Sequence, residues 1–87
     1  MTDDDNDLEQ LRPTKIDLTV LANLERIAQR LKDTTAAPLI ELTTFRGDPT
    51  RQTAQHAARA FRFAATVSEQ PLRSAAIDAA EQLDRLP

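Results

Sequence analysis

The chain has no cysteine, no tryptophan and no tyrosine, and a single glycine among its 87 residues. Without cysteine it forms no disulfide and carries no thiolate nucleophile. Nothing in this composition indicates an oxidising compartment, so we expect a cytoplasmic protein. A single glycine, Gly47, is too few to build a glycine-rich loop around a phosphate group.

Long apolar runs are also missing. The longest has three residues, as at residues 20–22, so we expect no membrane span and no secretory signal. Alanine accounts for 14 residues, and leucine, isoleucine, valine and phenylalanine together for 20, so the core is thin. A core of this size seldom supplies more than roughly 3–5 kcal/mol. We therefore expect one domain that self-associates or binds a partner.

Charge is distributed unevenly along the chain, whose net charge is −3. Residues 1–11 contain no basic residue and five acidic ones: Asp3, Asp4, Asp5, Asp7 and Glu9. A segment of this composition buries too little apolar surface to become ordered on its own. We predict a flexible acidic arm over residues 1–13 and a single helical domain over residues 14–87.

Apolar residues at helical spacing predict a first helix over about residues 15–33, with Thr14 or Asp17 as its N-cap. The segment 38–46 is ambiguous. A proline near its start and Gly47 after it favour a short helix, whereas its paired threonines favour a strand. We predict a short helix here, and a strand pairing with a second copy is the alternative.

Two further helices are predicted in the second half of the chain. One runs over about residues 49–67 and begins at Asp48 and Pro49, an N-cap followed by proline. The other runs over about residues 70–86, with Ser68 as a candidate cap before it. The fold class is therefore all-α, a small three-helix bundle with a short fourth segment that is either helix or strand.

The helix predicted over residues 49–67 is apolar on two sides. The core side is lined by small residues and one phenylalanine: Ala54, Ala57, Ala58, Phe61, Ala64, Ala65 and Ser68. Phe63, Val67 and Ala60 fall roughly opposite, together with His56. Either residues 38–46 or the arm cover this second patch, or it is an interface to a second copy or a partner.

Between these two sides runs a basic stripe of Arg51, Arg59 and Arg62, in a segment without acidic residues. Three guanidinium groups at this spacing hold phosphates or carboxylates, or they form a solvated border beside an interface. A third interpretation is that the acidic arm folds over the stripe.

No arrangement typical of catalysis is found. His56 is the single histidine, and no carboxylate or second ligand lies three or four residues from it on the helix. The serines, Ser68 and Ser74, do not neighbour it in sequence. We therefore predict no enzymatic activity, no metal or other cofactor, and no small-molecule substrate.

The junction after the helix over 49–67 matches the buried positions of a helix-turn-helix motif in part, although Arg62 stands where that motif has a small residue. In that alternative, Gln70, Arg73 and Ser74 face the base edges of DNA. A ribbon-helix-helix regulator, with residues 39–45 as its strand, is a variant of the same hypothesis.

The interpretation we favour is a non-enzymatic interaction or regulatory module. It acts as a homodimer or on a protein partner, with Phe63, Val67 and Ala60 in contact and Arg51, Arg59 and Arg62 along the border. The alternative is a small DNA-binding regulator.

Overall fold

The computed structural model describes residues 11–87 of the chain. Within this range the protein is helical and contains no strand. Residues 11–87 form four helices: α1, Leu18–Leu31; α2, Ala37–Gly47; α3, Arg51–Thr66; and α4, Leu72–Asp84. The predicted all-α class is confirmed. Residues 1–10, most of the predicted acidic arm, lie outside the described residues.

The four helices surround one core. α3 packs against α2 and α4, and α1 packs against the same two helices, so α1 and α3 occupy opposite corners of a ring. The largest fully buried side chains are Phe45, Phe61, Leu24, Leu31, Leu42 and Pro38. Because three of these belong to α2, the described body has four helices rather than three helices and a short segment. None of the helices within residues 11–87 is long and apolar enough to cross a bilayer.

α1 begins three residues later than predicted. The Asp17 carboxylate accepts a hydrogen bond from the backbone N–H of Thr19 at 2.7 Å, which confirms Asp17 as the N-cap. Thr14, the other candidate, is buried, and its hydroxyl donates to the carbonyl oxygen of Pro87 instead. The extended residues before Asp17 are thereby held against the end of the chain.

The ambiguous segment 38–46 lies within α2, a helix of 11 residues, so the strand alternative is wrong. Pro38 lies in its first turn, where its missing N–H costs no helical hydrogen bond. The paired threonines, which favoured a strand, are accommodated because Thr43 and Thr44 donate their hydroxyls to the carbonyls of Leu39 and Ile40, at 2.8 Å and 3.2 Å.

α3 begins at Arg51, so the predicted start at Asp48 and Pro49 is wrong. Its N-cap is Thr50, which forms a capping box with Thr53. Asp48 instead ends α2, its backbone N–H donating to carbonyls of that helix. The carbonyl of Pro49 accepts from the N–H of Thr14 at 2.9 Å. This bridge fixes residues 48–50 outside the helix.

α4 packs antiparallel to α3. Residues near the start of α3 lie beside Leu86 and Pro87, and Thr66 at its end lies beside Arg73 and Ile77. The contact is made by small side chains, since Ala76, Ala79 and Ala80 of α4 are fully buried. Alanine on both helices allows the two axes to approach closely.

The cap predicted for α4 is also wrong. The Ser68 hydroxyl is buried without a hydrogen-bond partner in the part of the chain that the structure describes, and the N-cap position is occupied by Pro71, which provides no side-chain cap. The side chain of Gln70 takes this role, because its Oε1 accepts from the backbone N–H of Ser74 at 3.1 Å. α4 therefore starts at Leu72, two residues after the predicted start.

Candidate functional site

The core side of α3 is buried as the sequence predicts. All seven residues assigned to it are covered: Ala54, Ala57, Ala58, Phe61, Ala64, Ala65 and Ser68. Phe61 is completely buried, and the alanines around it leave room for α4. The opposite side of α3 is therefore the side available to other molecules.

That opposite side carries two large apolar side chains that the chain leaves exposed. Phe63 is 54% exposed and Val67 is 49% exposed. Ala60, predicted to join them, is only 8% exposed, since it lies at the bottom of a groove beside α2. α2 thus approaches this face of α3 and covers Ala60, but it leaves half of Phe63 uncovered.

The groove between α2 and α3 has a volume of about 290 Å³. We call it the α2–α3 groove. Its lining comprises Ala37 and Glu41 from α2 with His56, Arg59, Ala60 and Phe63 from α3. Phe63 therefore lines this groove while about half of its side chain remains exposed.

A second groove, of about 270 Å³, lies between α3 and α4. We call it the α3–α4 groove, and its lining residues are Arg62, Ala65, Thr66, Arg73 and Ile77. Ile77 is 41% exposed here. Sequence reasoning missed this residue because it lies outside the apolar seam of α4. The sequence does show that Ile77 is an apolar residue outside that seam. It does not show which side of α4 meets α3.

The three arginines of the predicted basic stripe have different surroundings. Arg62 forms an ion pair with Asp84 of α4 at the surface. Arg51 lies at the opposite end of α3, near Pro87 and outside both grooves. Arg59 borders the α2–α3 groove, and its side chain has no ion pair within residues 11–87. The stripe therefore contributes to the Phe63 face one guanidinium, that of Arg59, which has no ion pair among the described residues.

The residues assigned to DNA contact in the alternative lie near the α3–α4 turn. Gln70 Oε1 accepts from both the backbone N–H and the hydroxyl of Ser74. Arg73 Nε donates to the carbonyl of Ser68 at 3.0 Å. All three side chains therefore already make local hydrogen bonds that support the turn and the first turn of α4.

His56 lies on the surface and lines the α2–α3 groove. The part of the chain from residue 11 onwards contains no group of three histidine, cysteine or acidic side chains arranged to hold a metal ion. The chemistry offered at α3 is thus apolar contact bordered by guanidinium groups. No protein-family model, curated protein or solved structure matches this chain.

Proposed function

We propose that this protein is a non-enzymatic interaction module that binds a protein partner, or a second copy of itself, through the exposed face of α3. The observation that supports this most directly is the position of Phe63. It is one of three aromatic residues in the chain, and it forms the wall of a groove while remaining 54% exposed.

The energetic argument follows from the area that a partner would cover. A phenylalanine buries about 150–250 Å², so the exposed half of Phe63 amounts to roughly 100 Å². Covering that area contributes about 2–3 kcal/mol at the usual coefficient for apolar surface. The core of a domain of this size supplies roughly 3–5 kcal/mol, so the free energy gained by covering Phe63 would be a large fraction of it.

The neighbouring residues support an interface more than an isolated exposed side chain. Val67 follows Phe63 by one helical turn and is exposed to a similar degree, while Arg59 precedes it by one turn. Apolar centres bordered by arginine are typical of protein interfaces, in which aromatic side chains and arginine contribute most of the binding energy.

Replacing Phe63 by aspartate tests this proposal. The side chain is half exposed, so we expect Phe63→Asp to keep the helical circular dichroism of the parent. Light scattering over a range of concentrations would measure whether the mass of the parent exceeds the 9.7 kDa of one chain and whether the variant loses that excess mass. If the parent is a monomer, affinity capture with both proteins would measure loss of a specific partner.

Leu18→Asp provides the matched control. Leu18 is 80% exposed at the start of α1, away from both grooves, and an aspartate there is compatible with a helix N-terminus. We expect Leu18→Asp to keep the mass and the partners of the parent. If both aspartate variants behave alike, the α3 face is not the interface and the proposal is wrong.

A further inference from the structure

We propose that the α2–α3 groove is occupied by the same groove of a second copy, in a dimer whose two-fold axis runs along the groove. In this dimer α3 of each copy lies over α2 of the other. The inference rests on the proposed function, and it selects the second copy from the occupants that the proposed function allows.

The two walls of the groove differ in a way that a two-fold axis makes complementary. The α2 wall carries the small Ala37 and, one turn later, the acidic Glu41. The α3 wall carries the large Phe63 and, one turn earlier, the basic Arg59. Packed helices joined by a short turn run antiparallel, so both steps run in the same direction and cover about 6 Å. A two-fold axis along the groove therefore sets Phe63 against Ala37 of the second copy, and Arg59 against Glu41 of the second copy.

The charges of the groove also favour a second copy. With His56 counted as neutral, Glu41 and Arg59 give the lining no net charge on a chain whose net charge is −3. Neither of these two side chains forms an ion pair among residues 11–87. In the dimer each arginine meets a carboxylate, and the symmetry repeats this pair. A purely acidic occupant, such as residues 1–11 of this chain, would meet Glu41 as well as Arg59.

Apolar side chains on both helices are exposed beside the groove. On α3, Phe63 is 54% and Val67 is 49% exposed. On α2, Ile40 is 61% exposed and follows Ala37 by three residues, which places the two on one face of that helix. A second copy over the groove covers part of each of these large side chains, and it does so in both copies because the interface is symmetric.

The face is small, so we expect a weak dimer. α3 has 16 residues and α2 has 11, which makes them about 24 Å and 16 Å long and roughly 10 Å wide. Their outward faces together have a projected area of roughly 400 Å² per copy, about half of the 800 Å² that each partner buries in a standard interface. We therefore expect a dissociation constant in the micromolar range and an average mass that rises with protein concentration.

Charge reversal tests the arrangement, with the dimer dissociation constant of the full chain measured by sedimentation equilibrium. Glu41→Arg places an arginine against Arg59 of the second copy, and Arg59→Glu places a glutamate against Glu41. Each variant alone brings like charges together at two symmetric positions, so we expect its dissociation constant to rise roughly tenfold or more. An equimolar mixture of the two variants restores opposite charges at both positions. We expect this mixture to dimerise at least as tightly as the parent.

Net charge does not explain such a rescue. Exchanging a carboxylate for a guanidinium adds two charges, so Glu41→Arg changes the net charge from −3 to −1, and the opposite exchange in Arg59→Glu changes it from −3 to −5. Two negative chains repel each other overall. Arg26→Glu, at an exposed position of α1, makes the same charge change as Arg59→Glu and is the control. We expect Arg26→Glu to dimerise like the parent.

A second variant tests the packing without a change of charge. Ala37→Leu fills the space that Phe63 of the second copy would occupy, so we expect it to raise the dissociation constant roughly tenfold, as overpacking does. Circular dichroism checks that each variant keeps the helical content of the parent. Dimerisation of Ala37→Leu as tight as that of the parent would contradict the placement of Phe63 over Ala37.

The remaining outcomes separate this inference from the proposed function. A parent that stays at 9.7 kDa up to about 1 mM would overturn the dimer. A parent dimer whose charge-reversed variants are not rescued by mixing would also overturn it, because the interface would lie elsewhere. If Phe63→Asp nevertheless abolishes capture of another protein, the interaction module stands with a different occupant. If neither self-association nor capture depends on Phe63, the proposed function fails as well.

Discussion

The hydroxyl of Ser68 is buried where α3 ends, and it has no hydrogen-bond partner among residues 11–87. A buried hydroxyl without a partner costs free energy, because it has lost its water and gained nothing in exchange. The backbone of Ser68 does have a partner, because its carbonyl accepts a hydrogen bond from Arg73 Nε. The side chain beyond Cβ therefore contributes less to stability at this position than an alanine methyl would.

Ser68→Ala is expected to raise the free energy of unfolding by about 1 kcal/mol, the lower end of the cost of an unsatisfied buried group. Urea denaturation monitored by circular dichroism measures this change. Ser74→Ala is the matched control. Its hydroxyl donates to Gln70 at 2.7 Å, so its removal should leave stability unchanged or lower. A loss of stability in Ser68→Ala would mean that the hydroxyl has a partner in solution.

At the scale of helices, the start of α3 shows how a contact distant in sequence decides a boundary. Asp48 and Pro49 satisfy the local rule for a helix start, but residues 12–14 pair with residues 49–51 in a short antiparallel bridge. The backbone N–H of Arg51 donates to the carbonyl of Arg12 at 3.1 Å in this bridge. Thr50, the next residue with capping chemistry, then serves as the N-cap, and the helix starts at Arg51.

Thr50→Ala should therefore destabilise the protein by about 1 kcal/mol, the usual cost of losing an N-cap side chain. Asp48→Ala should have little effect, because Asp48 precedes the cap and its backbone N–H supplies its contacts with α2. Thermal denaturation of both variants distinguishes the two boundaries. If Asp48→Ala were the more destabilising change, the helix would begin where the sequence alone placed it.

Periodicity predicted much of α3 because it depends on one helix alone. The burial of Phe61 and the exposure of Phe63 both follow from about 100° of rotation per residue. The pairing of Arg62 with Asp84 and the place of Ile77 depend on which side of α4 meets α3, which a single sequence does not specify. The helix was therefore predictable from the sequence. The α2–α3 groove was predictable only in part, and the α3–α4 groove was not predictable.

At the scale of the whole molecule, charge is separated in space. The chain is acidic overall, yet the α3 face presents Arg59 and Arg73 without paired carboxylates among the described residues. α4 carries Asp78 and Glu81 on exposed positions. A long polyanion such as duplex DNA would meet these acidic residues together with the arginines.

We accordingly expect no band shift when duplex DNA is titrated with low micromolar protein at low salt. Acidic residues on α4 would oppose the phosphates that supply most nonspecific affinity. Gel-shift titration over a range of salt concentrations measures this. A shift that weakens steeply with salt and disappears in Arg73→Ala would support the DNA-binding alternative instead.

The hydrogen bond from Thr14 to Pro87 has a practical consequence for handling the protein. Together with the bridge at Pro49, it gathers residue 14, residue 87 and the beginning of α3 at one end of the bundle. The α3–α4 turn lies at the far end, and Phe63 faces sideways between the two. A fluorophore, affinity handle or sensor surface attached through residue 87 would therefore leave both sides of α3 open to incoming molecules.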